Sequence, residues 1–377
     1  MNQNNDKTTV LVSSVSADEE QPLALNNNII HEDDENYNDN SKNIFREMNH
    51  PYYLHTISMS KLYDTAYTPK KPVIENLLYG GTYLFVGAPK IGKSFLMAQL
   101  AYHVSSGINL WDNKVHKGTV LYLALEDDYA RLQQRLSRMF DMEENANFHL
   151  ATQSNQLNGG LDKQLEYFIS KHEDTRLIII DTLQKIREID GVKFNYASDY
   201  DIVTKLKKFS DNNGVCLLLV HHTRKQAADD CFETISGTNG LLGAADGAFV
   251  LQKEKRTDLK AVLDIVGRDQ QDQRLHLIFD QEHCIWLLTK SETELWKEPS
   301  DPVLDAIAAI VTEEQPEWNG TPSELVIKLG LNIKPNILTK RLNVNAGRLQ
   351  NEYGIYYEND RTHYGRNIKL SLDISIT

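Results

Sequence analysis

The stretch "FVGAPKIGKSFLMAQL", residues 85–100, passes from an apolar run through a small turn to a lysine, a serine and a second apolar run. Gly87, Gly92, Lys93 and Ser94 complete the spacing G-x-x-x-x-G-K-S. A loop of that spacing turns its backbone N–H groups inward onto phosphate oxygens, and the helix behind it aims its positive dipole end at them. Gly87, Ala88, Pro89, Lys90, Ile91, Gly92, Lys93, Ser94 and Phe95 are therefore the expected cradle for ATP. Lys93 is placed to reach the β- and γ-phosphates, and the Ser94 hydroxyl to hold Mg²⁺. The flanks agree: Thr82 to Val86 reads as a buried strand, and Ser94 to Ser105 as a helix with Phe95, Leu96, Ala98, Leu100 and Ala101 apolar. A glycine-rich turn matching by chance would not bring those flanks with it.

Outward from this loop, apolar strands alternate with helix-like stretches from about residue 76 to 290: "TYLFVG", "TVLYLAL", "RLIIID", "GVCLLLVHH", "GAFVLQK", "AVLDIVG" and "LHLIFD". That alternation implies an α/β fold with a mainly parallel central sheet, and the short links between the last three strands imply hairpins at one edge. The domain reading is an acidic, Asn-rich tail over 1–48, a lead-in over 49–75, an ATPase core over 76–298 and a small domain over 299–377. Pro299 and Pro302, in "KEPSDP", punctuate the last boundary.

Charge is uneven along the 377 residues, whose formal net is −13. Residues 1–50 hold ten Asp/Glu against three Lys/Arg, with eleven asparagines, too little apolar surface to offset the entropy of ordering. This stretch lacks the basic start and apolar core of a signal peptide, and no run approaches a membrane span. Cys216, Cys231 and Cys284 form no C-x-x-C pair, and Cys216 reads as a buried strand residue. A reducing, cytoplasmic setting is the expectation.

Hydrolysis needs an acid that tunes Mg²⁺ and a base that orients water. "RLIIIDTL" places Asp181 after an apolar run, at the polar end of a strand expected to lie beside the P-loop strand; the bland alternative is a turn-capping aspartate. Thr182 follows it where many ATPases carry the catalytic glutamate, so the base must come from elsewhere. Glu126, in "VLYLALEDDYA", is the leading candidate, while Asp127 and Asp128 can serve only as helix-capping acids.

A glutamate after the second strand and an aspartate after the third resemble the RecA-like family rather than the AAA+ family. With "VIENLLYGGTYLFVGAPKIGKS", "YLALEDD", "LLLVHHTRK" and "ETISGTNGLLGAADGAFVLQKE", residues 72 to 285 resemble RepA-type replicative helicases of plasmids and, more broadly, the DnaB-type core. The resemblance implies that His222, or else His221, senses the γ-phosphate. It implies that the loop from about Thr223 to Asn239, with Arg224, Lys225, Ser236 and Gly237, touches single-stranded DNA. It also implies that Arg268, or else Arg274, completes a neighbour's site in a homo-oligomeric, hexameric ring. One departure stands out: Asp229, Asp230 and Glu233 outnumber that loop's two cations, whereas phosphate contacts need Lys, Arg or backbone donors.

Beyond residue 300 the sequence reads as three short helices and a hairpin, "IYYENDRTHYGRNIKLSL", an order that resembles a winged helix–turn–helix. Thr321 is a candidate N-cap with Pro322 at the first helical position. Residues 326–372 carry eight Lys/Arg against three acids. Lys340, Arg341, Arg348, Arg361 and Arg366 are the candidate contacts to duplex DNA, with protein docking as the alternative. Two functional classes follow: an ATP-driven DNA motor of a plasmid or mobile element, or a DNA-binding regulator using ATP as a slow assembly switch. A small-molecule kinase would need an acceptor pocket and lid that the sequence does not suggest.

Overall fold

A computed structural model describes residues 50–67, 70–187, 196–223, 231–235, 239–296, 298–362 and 365–373. The acidic tail and Arg224, Lys225, Ser236 and Gly237 lie outside them. The chain divides into Met1–Leu62 and Tyr63–Thr377. In the first unit, the described residues lead into a short helix, α1 (Met59–Tyr63), and expose Tyr52, Leu54 and Met59.

In the second unit a small ribbon, β1 (Pro72–Ile74) and β2 (Leu78–Tyr79), precedes the P-loop strand β3 (Gly81–Gly87). There follow α2 (Lys93–Ser106), β4 (Thr119–Ala124), α3 (Tyr129–Phe140), β5 (Phe148–Ala151), α4 (Leu161–Lys171) and β6 (Thr175–Asp181). Next come α5 (Tyr196–Asn213), β7 (Cys216–His222), α6 (Asn239–Ala244) and β8 (Gly247–Gln252). The edge strands β9 (Lys260–Gly267), β10 (Gln273–Asp280) and β11 (Ile285–Ser291) finish a sheet ordered β11-β10-β9-β8-β3-β7-β6-β4-β5. From β8 to β5 every pairing is parallel, and β8 to β11 pair antiparallel as hairpins. This is the RecA-like P-loop architecture that the strand alternation led us to expect.

The interior strands are apolar throughout because both faces are covered. On β3, Tyr83 and Phe85 pack with Leu96, Met97 and Ala101 of α2, while Leu84 and Val86 pack with Val203, Leu206 and Phe209 of α5. Each such side chain contributes roughly 1.5–3 kcal/mol by leaving water.

One expectation about order is corrected. The strand ending at Asp181 does not lie beside the P-loop strand; β7 sits between them, hydrogen-bonded to both. The chain leaves β3 for a position two strands away and fills the gap last. β6 and β7 are equally buried, so their apolar patterns carry no information about which is the neighbour.

The C-terminal portion comprises α7 (Pro302–Ala308), β12 (Glu317–Gly320), α8 (Pro322–Lys328), α9 (Pro335–Tyr353), β13 (Ile355–Thr362) and β14 (Gly365–Leu372). Its sheet order is β12-β14-β13, over a separate core that includes Leu304, Ile307, Leu325, Leu338, Leu342, Ile368 and Leu370. Thr321 and Glu324 form a reciprocal capping box, with Pro322 in the first turn. Strand β12, "EWNG", went unread in the sequence because four residues leave no room for alternation to show.

Candidate active site

The P-loop occupies the carboxyl end of β3, an interior strand of the sheet, where open α/β sheets gather their ligands. Two of its glycines are required by packing as well as by ligand approach. A Cβ at Gly87 would stand 2.6 Å from the Ile91 side chain and 2.8 Å from the Leu251 carbonyl. Gly92 has φ +101°, and a Cβ there would meet the Trp286 ring at 2.9 Å. Trp286, fully buried on β11, also donates from Nε1 to the Gly92 carbonyl at 3.2 Å. Gln99 of α2 exchanges both hydrogen bonds with the Trp286 backbone, 2.8 and 3.0 Å, and so ties the P-loop helix to the edge hairpin.

Four expected residues meet behind this loop. Lys93 Nζ donates to the carbonyls of Gly87 (2.7 Å) and Ala88 (2.9 Å) and lies 3.2 Å from His222 Nδ1. Burial lowers the Lys93 pKa to about 8, against the opposing pull of Asp181 and Glu126. His222 is likewise lowered, by burial and by the Lys93 charge. Its neighbour His221 points into the buried side of the strand, so His222 is the one facing the phosphate lysine. Ser94 Oγ donates to Asp181 Oδ2 at 2.7 Å, and the fully buried Tyr122 hydroxyl donates to the same oxygen at 2.9 Å. Burial raises the Asp181 pKa although both hydrogen bonds oppose it.

Glu126 stands just past β4, exposed toward the loop, with Oε1 accepting from Thr182 Oγ1 at 3.3 Å. Its neighbours have other employment. Asp128 caps α3 by accepting from the Arg131 backbone at 2.8 Å, and Asp127 pairs with Arg131 (3.0 Å) and Arg135 (2.7 Å). The Arg135 guanidinium in turn sits 5.1 Å over the Phe95 ring, which meets Phe279 edge-on.

Residues 50–228, a span that contains Lys93, Ser94, Glu126, Asp181 and His222, match the family described as "AAA domain". The core is a P-loop ATP hydrolase. No curated protein matches the chain. Among solved structures, an isolated ATPase domain is similar at 16% identity and TM-score 0.48, covering 68% of this chain and 100% of that one. A KaiC-like protein, PH0186 from the hyperthermophilic archaeon Pyrococcus horikoshii OT3, is similar at 15% identity and TM-score 0.45, covering 60% of this chain and 99% of that one.

The ATPase's donor set fits a hard divalent cation. Ser94 and Asp181 present two oxygens in direct contact, the sparse all-oxygen set that suits Mg²⁺ completed by water and phosphate. Among the described residues, no cluster of three or more His, Cys, Asp or Glu offers a dedicated metal cage. No described helix is long and apolar enough to cross a membrane.

The ATPase places Arg268 far from this loop. Gly267 pairs with Gly247, which pairs with Tyr83 near the amino end of β3, whereas the P-loop follows its carboxyl end. At about 3.3 Å per residue, four strand positions put at least roughly 13 Å between them. The Arg268 backbone donates to the Asp246 carbonyl and its guanidinium to the Gly243 carbonyl at 2.7 Å. The alternative, Arg274, is paired with Asp264 at 2.6 Å.

The C-terminal cations divide in two. Arg341 pairs with Asp301, and Arg348 with Glu298 and Glu352, so both brace the preceding linker. Lys340 and Arg366 instead face Asp64, and the Arg361 backbone pairs with Arg366 in the hairpin.

Tyr122, Thr182, Arg135 and Trp286 were not singled out from the sequence. Only Tyr122 offered a signal: a phenol inside a fully buried strand needs a partner for its hydroxyl.

Proposed function

We propose that this protein is a RecA-type, DNA-associated ATP motor of the RepA helicase kind, from a plasmid or mobile element, working as a homo-oligomeric, hexameric ring with Mg²⁺·ATP at subunit boundaries. Lys93 holds the γ-phosphate, while Ser94 and Asp181 hold Mg²⁺, which offsets charge developing on the phosphate oxygens. Glu126 takes a proton from the water that attacks phosphorus, the bond to the β-bridging oxygen breaks, and ADP leaves with inorganic phosphate. His222, beside Lys93, relays the state of the γ-phosphate to the segment that follows β7. The C-terminal domain is read as a winged helix on duplex DNA.

The observation that carries this reading is the place of Arg268. An arginine at the end of the sheet remote from its own P-loop can serve only a neighbouring copy's nucleotide. The acid excess of Asp229, Asp230 and Glu233 favours a second reading, a DNA-bound regulator that uses ATP as a slow assembly switch.

Steady-state ATP turnover, alone and with single-stranded or duplex DNA, separates the two, with Glu126→Gln as background. Strong stimulation by single strands supports the motor. Turnover indifferent to single strands, or raised only by duplex, supports the switch.

A further inference from the structure

The C-terminal portion contains a cleft of about 570 Å³ between the first turns of α8 and α9 and the β13–β14 hairpin. Thr321, Asn336, Thr339, Lys340 and Arg366 line it, together with Asp64, a residue far away in sequence. Among the described residues lining the cleft, Asp64 is the one acid. Its carboxylate lies 3.5 Å from the Arg366 guanidinium and 3.9 Å from Lys340 Nζ.

The segment carrying Asp64 has a built seat. Asn343, 2% exposed on α9, donates from Nδ2 to the Tyr63 carbonyl at 2.9 Å. The other end of that amide is fixed, since Oδ1 accepts from the Tyr357 hydroxyl (2.8 Å) and from Asn359 Nδ2 (3.1 Å). A buried amide held by two strand residues and aimed at one backbone carbonyl specifies where the segment lies. The acid that follows is thereby delivered to the cation pair.

What the cleft offers Asp64 is what a phosphate needs. Lys340 and Arg366 supply charge from two elements, and the nineteen-residue α9 opens here with no side-chain cap at Lys334. Its positive dipole end therefore remains available to an anion. The carboxylate already resting between the cations is the independent sign that the cleft takes an oxyanion. Both ion pairs are partly exposed, and pairs of that kind are weak enough to exchange.

We propose that Tyr63–Asp64 is an internal strap occupying a backbone-phosphate site for duplex DNA, and that it keeps the C-terminal domain closed to DNA until duplex displaces it. The proposal rests on the duplex reading of this domain and adds its regulation. A duplex presents phosphates in a row, so it replaces one carboxylate with several contacts.

The test is anisotropy of a labelled random-sequence duplex with the full chain, at several salt concentrations. Asp64→Asn is expected to bind about threefold to tenfold tighter, the gain of freeing two weakly paired cations. Its dependence of log affinity on log salt should steepen by about one to two. Lys340→Ala with Arg366→Ala should weaken binding and, combined with Asp64→Asn, cancel the gain. If Asp64→Asn changes neither affinity nor salt slope while the cation variant still weakens binding, the strap is overturned and the duplex reading stands. If neither variant alters duplex binding, both fall. A gain seen with polyglutamate and not with duplex also overturns the proposal, and makes the cleft a seat for acidic protein segments.

Discussion

The Tyr122 hydroxyl donates to Asp181 Oδ2 at 2.9 Å from inside the sheet, on the oxygen that Ser94 also binds. Tyr122 is fully buried and Asp181 nearly so, and burial works against the charged carboxylate. The phenol is therefore a positioning group that keeps Asp181 ionised and aimed at the Ser94 hydroxyl. A hydrogen bond to a charged group is worth about 1.5–3 kcal/mol. Tyr122→Phe, which keeps the ring and its packing, should lower turnover roughly tenfold to a hundredfold. More Mg²⁺ should be needed for half-maximal turnover, a shift that a purely structural role would not produce. A Mg²⁺ titration of ATP turnover checks this.

Lys93 makes nucleotide binding sensitive to alkaline pH. Its pKa is lowered to about 8 in the free site, chiefly by burial, and a bound triphosphate must raise it again. Below pH 8 the lysine is already charged and affinity is flat. Above it, binding takes up a proton, so affinity falls by up to about tenfold per pH unit. The γ-phosphate, with its last pKa at about 6, is already ionised there. Calorimetry above pH 8 in two buffers of different ionisation heat should reveal the proton uptake. Lys93→Arg, whose guanidinium stays charged, should bind without the break in its pH profile.

Trp286 should matter to both stability and the loop. Its ring fills the space beside Gly92, and its backbone pairs with Gln99. Trp286→Ala should cost about 3–5 kcal/mol of unfolding free energy by denaturant titration. At concentrations of denaturant where the variant remains folded, its ATP affinity should still be reduced, because the P-loop loses the wall against which it turns.

The sequence was most informative where the signal is local. Gly87, Gly92, Lys93 and Ser94 are legible because one loop's geometry dictates their spacing, and Asp128 because a cap is read from its own first turn. Strand order was not legible: β6 and β7 are both continuous apolar runs, and nothing in "RLIIID" says that "VCLLLV" will lie between it and the P-loop strand. Trp286 was invisible for a related reason. Its contact with Gly92 spans almost two hundred positions and exists only because the edge hairpin folds back over the loop. The parting of Arg341 and Arg348 from Lys340 is also tertiary, since the acids they meet come from the linker before α7.

Glu126→Gln should separate binding from chemistry. The glutamate is exposed toward the loop and touches Thr182, whereas Asp127 is held by Arg131 and Arg135. The variant should bind ATP normally and turn it over about 10²- to 10⁴-fold more slowly, the usual contribution of a positioned base. Asp127→Asn should instead loosen α3, lowering the melting temperature more than the rate constant. Reversal of these two outcomes would move the base to Asp127.

Arg268 provides the test of assembly. Its turn lies at the end of the sheet remote from its own P-loop, so its loss should be felt in a neighbour's site. Arg268→Ala should reduce turnover about 10³- to 10⁵-fold, the range for an arginine that stabilises phosphoryl transfer. Mixing it with Glu126→Gln discriminates location. Each variant alone is nearly inactive, but a boundary formed by the Glu126 of one subunit and the Arg268 of the other is intact. Recovered turnover on mixing, dependent on protein concentration, places the arginine in trans. If Arg268→Ala turns over normally, or if mixing restores nothing while both variants still associate, Arg268 has only the structural role that its hydrogen bonds to Gly243 and Asp246 already provide.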